Sequence, residues 1–468
     1  MKRMTNKLRA FRWDKFIFAF LFISPCLDIV NGFLLWLAKL YPSVAKIASL
    51  PITPSLAVRL CFLGLVFVYA LLFWERRAIV TATWLVAICA ISSAIAGLWF
   101  VGRYNIFVDF QYMARYLYNI IMLLVVPACL TRRGELPPRD VVKSLQKVFT
   151  WSAIVIGGSI IFCYLFTVIT PLNLGFVIAD RFGPRGYSGF YNAGNEAAAM
   201  LTLVFPICIY NVLTCENLKK SWITLLAPAL AANAMFLLGT KTALMGMAMG
   251  LVGTCAYFCV TNIKKIWRPM ALLFGALILM FALLSAFGLL QTLAKSGSSM
   301  GNITSESIDD QEIIEKLDGM DNEEKKQGLI EYLEAPPIVR LLLSGRHVYF
   351  MHTGKAWIEG GPLSWFFGVG RSSQGHTVEM DLFEILFYYG IIGAIIMLAP
   401  LIYFLRRVWL NFWRNRKSAL AFCVLLCVMM GLFSSVIAGH VLFTVTGGFY
   451  FALVIIAGEL YFSKSQPT

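Results

Sequence analysis

Charge is scarce in this chain. Only 14% of its 468 residues are Asp, Glu, Lys or Arg, against about 25% in a soluble protein. With 59% hydrophobic residues and a mean hydropathy of +0.74, this scarcity excludes an ordinary soluble domain and indicates a polytopic, all-α integral membrane protein. There is no internal repeat and no second soluble domain. None of the eleven Cys falls in the long polar segment 291–381, which excludes a disulfide-stapled ectodomain. Cys255/Cys259 and Cys423/Cys427 have i,i+4 spacing but no His or carboxylate beside them, so they read as packing residues. No metal site and no cofactor is expected, and no Walker-type loop is present.

Apolar runs of span length, about 17–25 residues, fall near 16–38, 56–74, 78–100, 110–130, 148–169, 193–213, 222–239, 243–262, 270–290, 382–404, 418–438 and 442–462. About twelve spans are therefore expected, nine in 1–290 and three in 382–468, separated by one large loop over 291–381. The first run, at about 23 residues, is too long for a signal-peptide core and lacks a small-x-small cleavage site, so it reads as a retained anchor. With a cytoplasmic N-terminus, 24 of the 40 Lys and Arg lie in inner segments. Both termini are then cytoplasmic and the long loop is outside. The net charge of +15 reports this topology and attraction to anionic membrane lipid; nucleic acid need not be invoked.

Connecting segments are where binding and catalytic groups concentrate, and the outer loop has two parts of opposite charge. Residues 302–334 hold eleven acidic residues against three Lys and read as a solvated helical insert. Asn302-Ile-Thr304 is a glycosylation acceptor only in a secretory compartment, which nothing else supports. After Pro336-Pro337 the balance turns basic. In a helix beginning near Ile338, Arg346, Phe350, Thr353 and Trp357 share a face, suggesting an amphipathic helix on the outer membrane surface. The loop then carries Phe367-Gly-Val-Gly370 and His376-Thr-Val-Glu-Met-Asp381 before the tenth run.

A second outer segment, Leu172 to Glu196, has Gly and Pro that shape a backbone able to bring Arg181 and Arg185 to a ligand. A third feature is the tight turn Gly239-Thr-Lys-Thr242. Arg185, Lys241 and Arg346 fall on one side of the membrane. Arg binds phosphate bidentately and Lys as a point charge, so the group suits a lipid-borne pyrophosphate. Taken singly, each is also explained as an interfacial cation snorkelling to water. Glu379 and Asp381 straddle the tenth run's start. A desolvated rim carboxylate has its pKa raised and can act as a general base. Asp381 reads mostly as a helix cap, Glu379 as chemistry, with His376 the other base candidate. His347, His352 and His440 read as structural. Arg59, Arg115 and Asp28 lie inside spans, where charges face a cavity or a partner; Arg115 either reaches the same cavity or pairs with Asp28. Gly246/Gly250 is a small-xxx-small packing face.

In order and spacing, the Arg-Gly loop leading into Asn195-Glu196, the Gly-Thr-Lys-Thr turn, Ser344-Gly-Arg346, Phe-Gly-Val-Gly and the acidic entry to Gly390-Ile-Ile-Gly393 resemble the bacterial O-antigen ligase / Wzy polymerase superfamily. The resemblance covers roughly 170–400 by motif and the rest by hydropathy. It implies a GT-C-like helical fold and a metal-independent inverting glycosyltransferase acting on undecaprenyl-pyrophosphate-linked glycans in the bacterial cytoplasmic membrane. Both donor and acceptor are then glycans, and other polysaccharide-export proteins are implied as partners. In the ligase branch a His precedes the paired glycines; counting back from Gly390 places Glu379 there, and Lys241 replaces an Arg. These departures favour a capsule or teichuronic-type polymerase over a ligase that transfers to a lipid, wall or protein acceptor. The implied roles are pyrophosphate binding by Arg185, Arg346, Lys241, Arg181 and Arg115. Glu379 or His376 removes the acceptor proton, and Trp357, Tyr187 and Tyr191 stack on sugars. The rival from another class is a lipid-linked oligosaccharide flippase, for which repeats and broken central helices would argue.

Overall fold

The computed structural model describes residues 11–41, 43–44, 53–99, 105–131, 137–170, 172–180, 183–191, 193–216, 222–289, 336, 339, 343, 346–373 and 377–462, without the side chains of 99, 179–180, 183–185, 262–265 and 462. All twelve apolar runs are helical. They are α1 (Trp13–Leu40), α2 (Pro54–Leu72), α3 (Arg76–Trp99), α4 (Ile106–Thr131), α5 (Pro138–Ile169), α6 (Gly194–Leu213), α7 (Trp222–Leu238), α8 (Lys241–Thr261), α9 (Ile266–Ala286), α12 (Asp381–Arg414), α13 (Ala419–Ile437) and α14 (Gly447–Phe462). Ten are long and apolar enough to cross a membrane; α7 and α14 are shorter apolar helices. Two further helices, α10 (Arg346–Glu359) and α11 (Gly361–Phe367), lie before α12. The acidic insert 302–334 lies outside the described residues.

Helical residues follow one another over the 46 positions Lys241–Ala286, which would reach about 69 Å as a single straight helix. Instead it doubles back between α8 and α9. Cys259 Sγ lies 3.9 Å from Met270 Sδ, although eleven helical residues would separate their backbones by about 16 Å. Phe281 of α9 accordingly packs beside Phe236 of α7, with ring centroids 5.3 Å apart. The most enclosed span is α6, with 83% of its apolar window buried. It packs against α5, α7, α8 and α13. The Gly246/Gly250 face seats on Thr202 and Phe205 of α6, where added Cβ atoms would come within 2.2 and 2.9 Å.

Arg59 inside the bundle is paired. Arg59 meets Asp28 at 2.7 Å, both nearly buried, and Arg59 also donates to Ser55 Oγ at 2.6 Å. Asp28 therefore belongs to Arg59 and not to Arg115, which lies exposed on α4 while Tyr112 and Tyr116 of the same helix turn inward. One strand pair breaks the helical pattern. β1 (Phe176–Asp180) and β2 (Gly183–Gly189) form an antiparallel hairpin with two irregularities in its register.

Within α12 the helix is interrupted at Gly390 (φ 66, ψ −172). A break in a span frees backbone carbonyls that lipid cannot satisfy. The Phe-Gly-Val-Gly turn supplies the missing donors: Val369 N–H reaches Phe387 O at 2.9 Å and Gly370 N–H reaches Tyr388 O at 3.1 Å. Contact this close needs glycine on both sides. A Cβ on Gly390 would lie 2.4 Å from the Phe366 carbonyl, and one on Gly368 (φ 84) 2.3 Å from that of Tyr388. Gly390→Ala should therefore cost about 3 kcal/mol or more, read as a lower melting temperature in detergent. An unchanged melting temperature would mean that this contact does not impose the break.

Asp109 at the start of α4 fixes the other edge of the turn. Buried, it accepts from Ser372 N–H at 2.7 Å and from Ser93 Oγ at 2.8 Å. The residues after Gly370 are thus tied to α3, α4 and α12 together.

Candidate functional site

Building the site starts with the backbone that carries Glu379. Tyr388 Oη accepts from Val378 N–H at 3.2 Å, and Glu384, one turn into α12, accepts from Glu379 N–H at 2.8 Å. Buried Glu384 is itself held by a hydrogen bond from Tyr112 Oη. Asp381 does not cap its own helix: Met380 is the N-cap residue, with no side-chain cap bond. The Asp381 carboxylate instead accepts from the backbone N–H groups of Val441 (2.9 Å) and Leu442 (2.7 Å) and from Ser435 Oγ (3.1 Å). It draws the α13–α14 connection onto the start of α12. Asn119 completes the clamp by donating to the carbonyls of Leu442 and Thr444, both at 2.9 Å.

That clamp delivers His440. Its Nε2 lies 3.8 Å from Glu379 Oε2, while Arg346 Nη2, at the N-terminus of α10, lies 2.9 Å from the same oxygen. Glu379 (φ 56) and His440 (φ 62) both have left-handed backbones, which non-glycine residues adopt at a cost and which cluster at functional sites. Arg346 is buried, and among the described residues its Nε has no hydrogen-bond partner. The face shared by Phe350, Thr353 and Trp357 packs inward. Phe350 stands 5.0 Å from Phe383, and half-buried Trp357 stands 5.8 Å from Phe387.

Electrostatics correct the expectation of a raised Glu379 pKa. Attraction to His440 is the largest influence and holds the carboxyl below the ordinary 4.5; burial opposes it and Arg346 adds to it. At 3.8 Å the His440 contact acts through charge rather than as a close hydrogen bond. For His440, burial works to lower the pKa, but Glu379, with Glu196 and Asp381 behind it, lifts it above the ordinary 6.5.

The sign of each shift sets a stability window. Glu379, depressed, contributes stability that is present above pH 4.5 and lost as pH falls through its lower folded value. His440, raised, contributes stability that is full below pH 6.5 and lost as pH rises through its higher folded value. The melting-temperature difference between wild type and His440→Gln should thus be greatest between about 4.5 and 6.5 and shrink on the alkaline side. A difference that grows with pH would contradict the pairing.

Glu196, in the first turn of α6, approaches from the other side and accepts from Thr446 Oγ1 at 2.9 Å. Beside it, Gly194 abuts Ile178 of β1 and Thr240, and Gly186 of β2 lies against the Leu238 carbonyl. The hairpin and the turn that carries Lys241 therefore gather around the N-terminus of α6. Thr240 caps α8 by accepting from Ala243 N–H at 3.3 Å. The Arg185 backbone lies in β2; its side chain, Arg181 and His376 lie outside what is described. Tyr187 and Tyr191 are buried. Tyr187 is bonded to Thr167 at 2.6 Å and to the Leu174 carbonyl; it braces the hairpin and presents no face to a sugar. Arg115 does not join the cluster.

The family described as "O-antigen ligase like membrane protein" matches residues 11–462. The chain belongs to this family. Comparison with curated proteins gives no match. The family match covers all twelve apolar helices and every residue of the Arg346–Glu379–His440 cluster, so this member of the O-antigen ligase-like family is a multi-pass membrane protein that processes lipid-linked glycans. The cluster brings a carboxylate, a guanidinium and an imidazole together at the start of α12.

Proposed function

We propose that the protein polymerises undecaprenyl-pyrophosphate-linked oligosaccharide repeats at the outer leaflet, as an inverting glycosyltransferase that needs no metal. The observation that carries this reading is the Arg346–Glu379 contact at 2.9 Å, a phosphate-type donor and a carboxylate base held at one membrane-rim point. Arg346, with Arg185 and Lys241 from the neighbouring hairpin and turn, receives the donor's pyrophosphate and neutralises it as the C1–O bond breaks. Recruitment of Arg346 to the phosphate leaves Glu379 with one cation fewer. Its pKa then rises toward the ordinary range and it becomes a stronger base when the donor is bound. Glu379 takes the acceptor hydroxyl proton as that oxygen attacks C1 from the opposite face. His440 holds the carboxylate in place and balances its charge.

The form of the product tests the reading. Membranes should yield a ladder of chain lengths still attached to undecaprenyl pyrophosphate. A single transfer onto lipid A core, a wall polymer or a protein would instead support a ligase. Orientation is tested separately, with cysteine introduced into a cysteine-depleted chain. Met320→Cys should label from outside intact cells and Phe412→Cys should not; the reverse would place the cluster on the cytoplasmic side.

A further inference from the structure

At the opposite end of the bundle lies a second polar recess that the transfer reading does not use. It opens between the N-terminus of α3, the C-terminal halves of α4 and α12, and the end of α14. Tyr403 lies some 20 residues along α12 from Asp381, about 30 Å away, which is the thickness of a hydrocarbon core. The recess therefore faces the other leaflet's headgroup level. Two guanidinium groups converge there on one phenol oxygen: Arg77 Nη1 donates to Tyr403 Oη at 3.3 Å and Arg407 Nη1 at 3.0 Å. Arg407 is balanced by Glu459 at 2.8 Å. Among the described residues no carboxylate lies within salt-bridge distance of Arg76 or Arg77, although the Arg77 charge also acts on Glu459. The polar compartment, about 470 Å³, also has Glu75 on its wall. It adjoins an apolar groove of about 630 Å³ that runs toward mid-membrane past Trp84, Ile395 and Ala399 and has Arg76 and Arg77 as its only charged lining.

We propose that this recess binds an anionic lipid phosphate, with the headgroup on Arg76, Arg77 and Tyr403 and the tail in the groove. Glu459 balances one of the two guanidiniums on Tyr403, and the positive charge left on Arg76 and Arg77 favours an anion beside them. Arginine also suits phosphate through its bidentate fork. A free phosphate would use the head compartment and leave the groove without a role. A lipid-borne one fills both.

Native mass spectrometry of the purified full-length chain tests this with phosphatidylglycerol, phosphatidylcholine, undecaprenyl phosphate and inorganic phosphate as probes. One anionic lipid should be retained about tenfold or more over phosphatidylcholine, and inorganic phosphate in excess should not displace it. Whichever of phosphatidylglycerol and undecaprenyl phosphate binds more tightly identifies the source. Arg76→Gln combined with Arg77→Gln should weaken retention about tenfold or more, the scale of a lost charge-assisted contact. Ala399→Trp keeps both arginines but fills the groove, and should weaken it as well. Equal retention of phosphatidylcholine, displacement by inorganic phosphate, or wild-type retention in either folded variant would overturn the proposal.

Discussion

Replacing Arg346 with Ala is expected to stop polymer formation, by about 10²–10³-fold, the loss seen when one preorganised donor to a developing charge is removed. The pyrophosphate loses a bidentate partner, and that loss outweighs any gain in basicity when Glu379 loses the guanidinium that stands 2.9 Å from its carboxylate in the free protein. Arg346→Lys should rescue poorly, because a point charge lacks the planar fork. Arg185→Ala should show the same loss. The measurement is chain-length distribution on a gel, with membrane protein level as control. Wild-type chains from either Ala variant at normal protein level would remove that residue from the pyrophosphate site.

Glu379→Gln should lower the rate about 10²-fold or more, the scale of a lost general base. Gln is nearly isosteric, so the backbone bond from Glu379 N–H to Glu384 is unaffected, but an amide cannot take the acceptor proton. His376→Ala should lose less. Donor affinity should hold in Glu379→Gln while turnover falls, which separates a chemical role from a binding one. Normal polymerisation by Glu379→Gln together with failure of His376→Ala would show that the two roles are reversed.

The membrane helices were legible in the sequence because long apolar runs leave few alternatives. Motifs near one another in the chain were also legible, including Arg346, Phe-Gly-Val-Gly and Glu379. What escaped was set by contacts between residues far apart in sequence. His440 read as structural because nothing in the sequence shows that Asp381 accepts from the backbone at Val441 and Leu442, a pairing across sixty residues that carries His440 to Glu379. A His that follows Gly439 between two spans, in a chain with only four His, was the available signal. Tyr112 and Glu384 are separated by 272 positions and Glu196 and Thr446 by 250. The hairpin was missed because its strands contain Gly183, Pro184, Gly186 and Gly189, residues depleted from strands. The rim position suggested a raised Glu379 pKa because burial is inferable from hydropathy, whereas the two cations that outweigh it come from other segments.

The most direct test of the whole account supplies the purified protein with undecaprenyl-pyrophosphate-linked repeat units alone, in chelator and without nucleotide. The account predicts a ladder of lipid-linked chains from the wild type and almost none from Glu379→Gln under identical conditions. No ladder until a nucleotide or divalent cation is added, or equal ladders from both proteins, would contradict it.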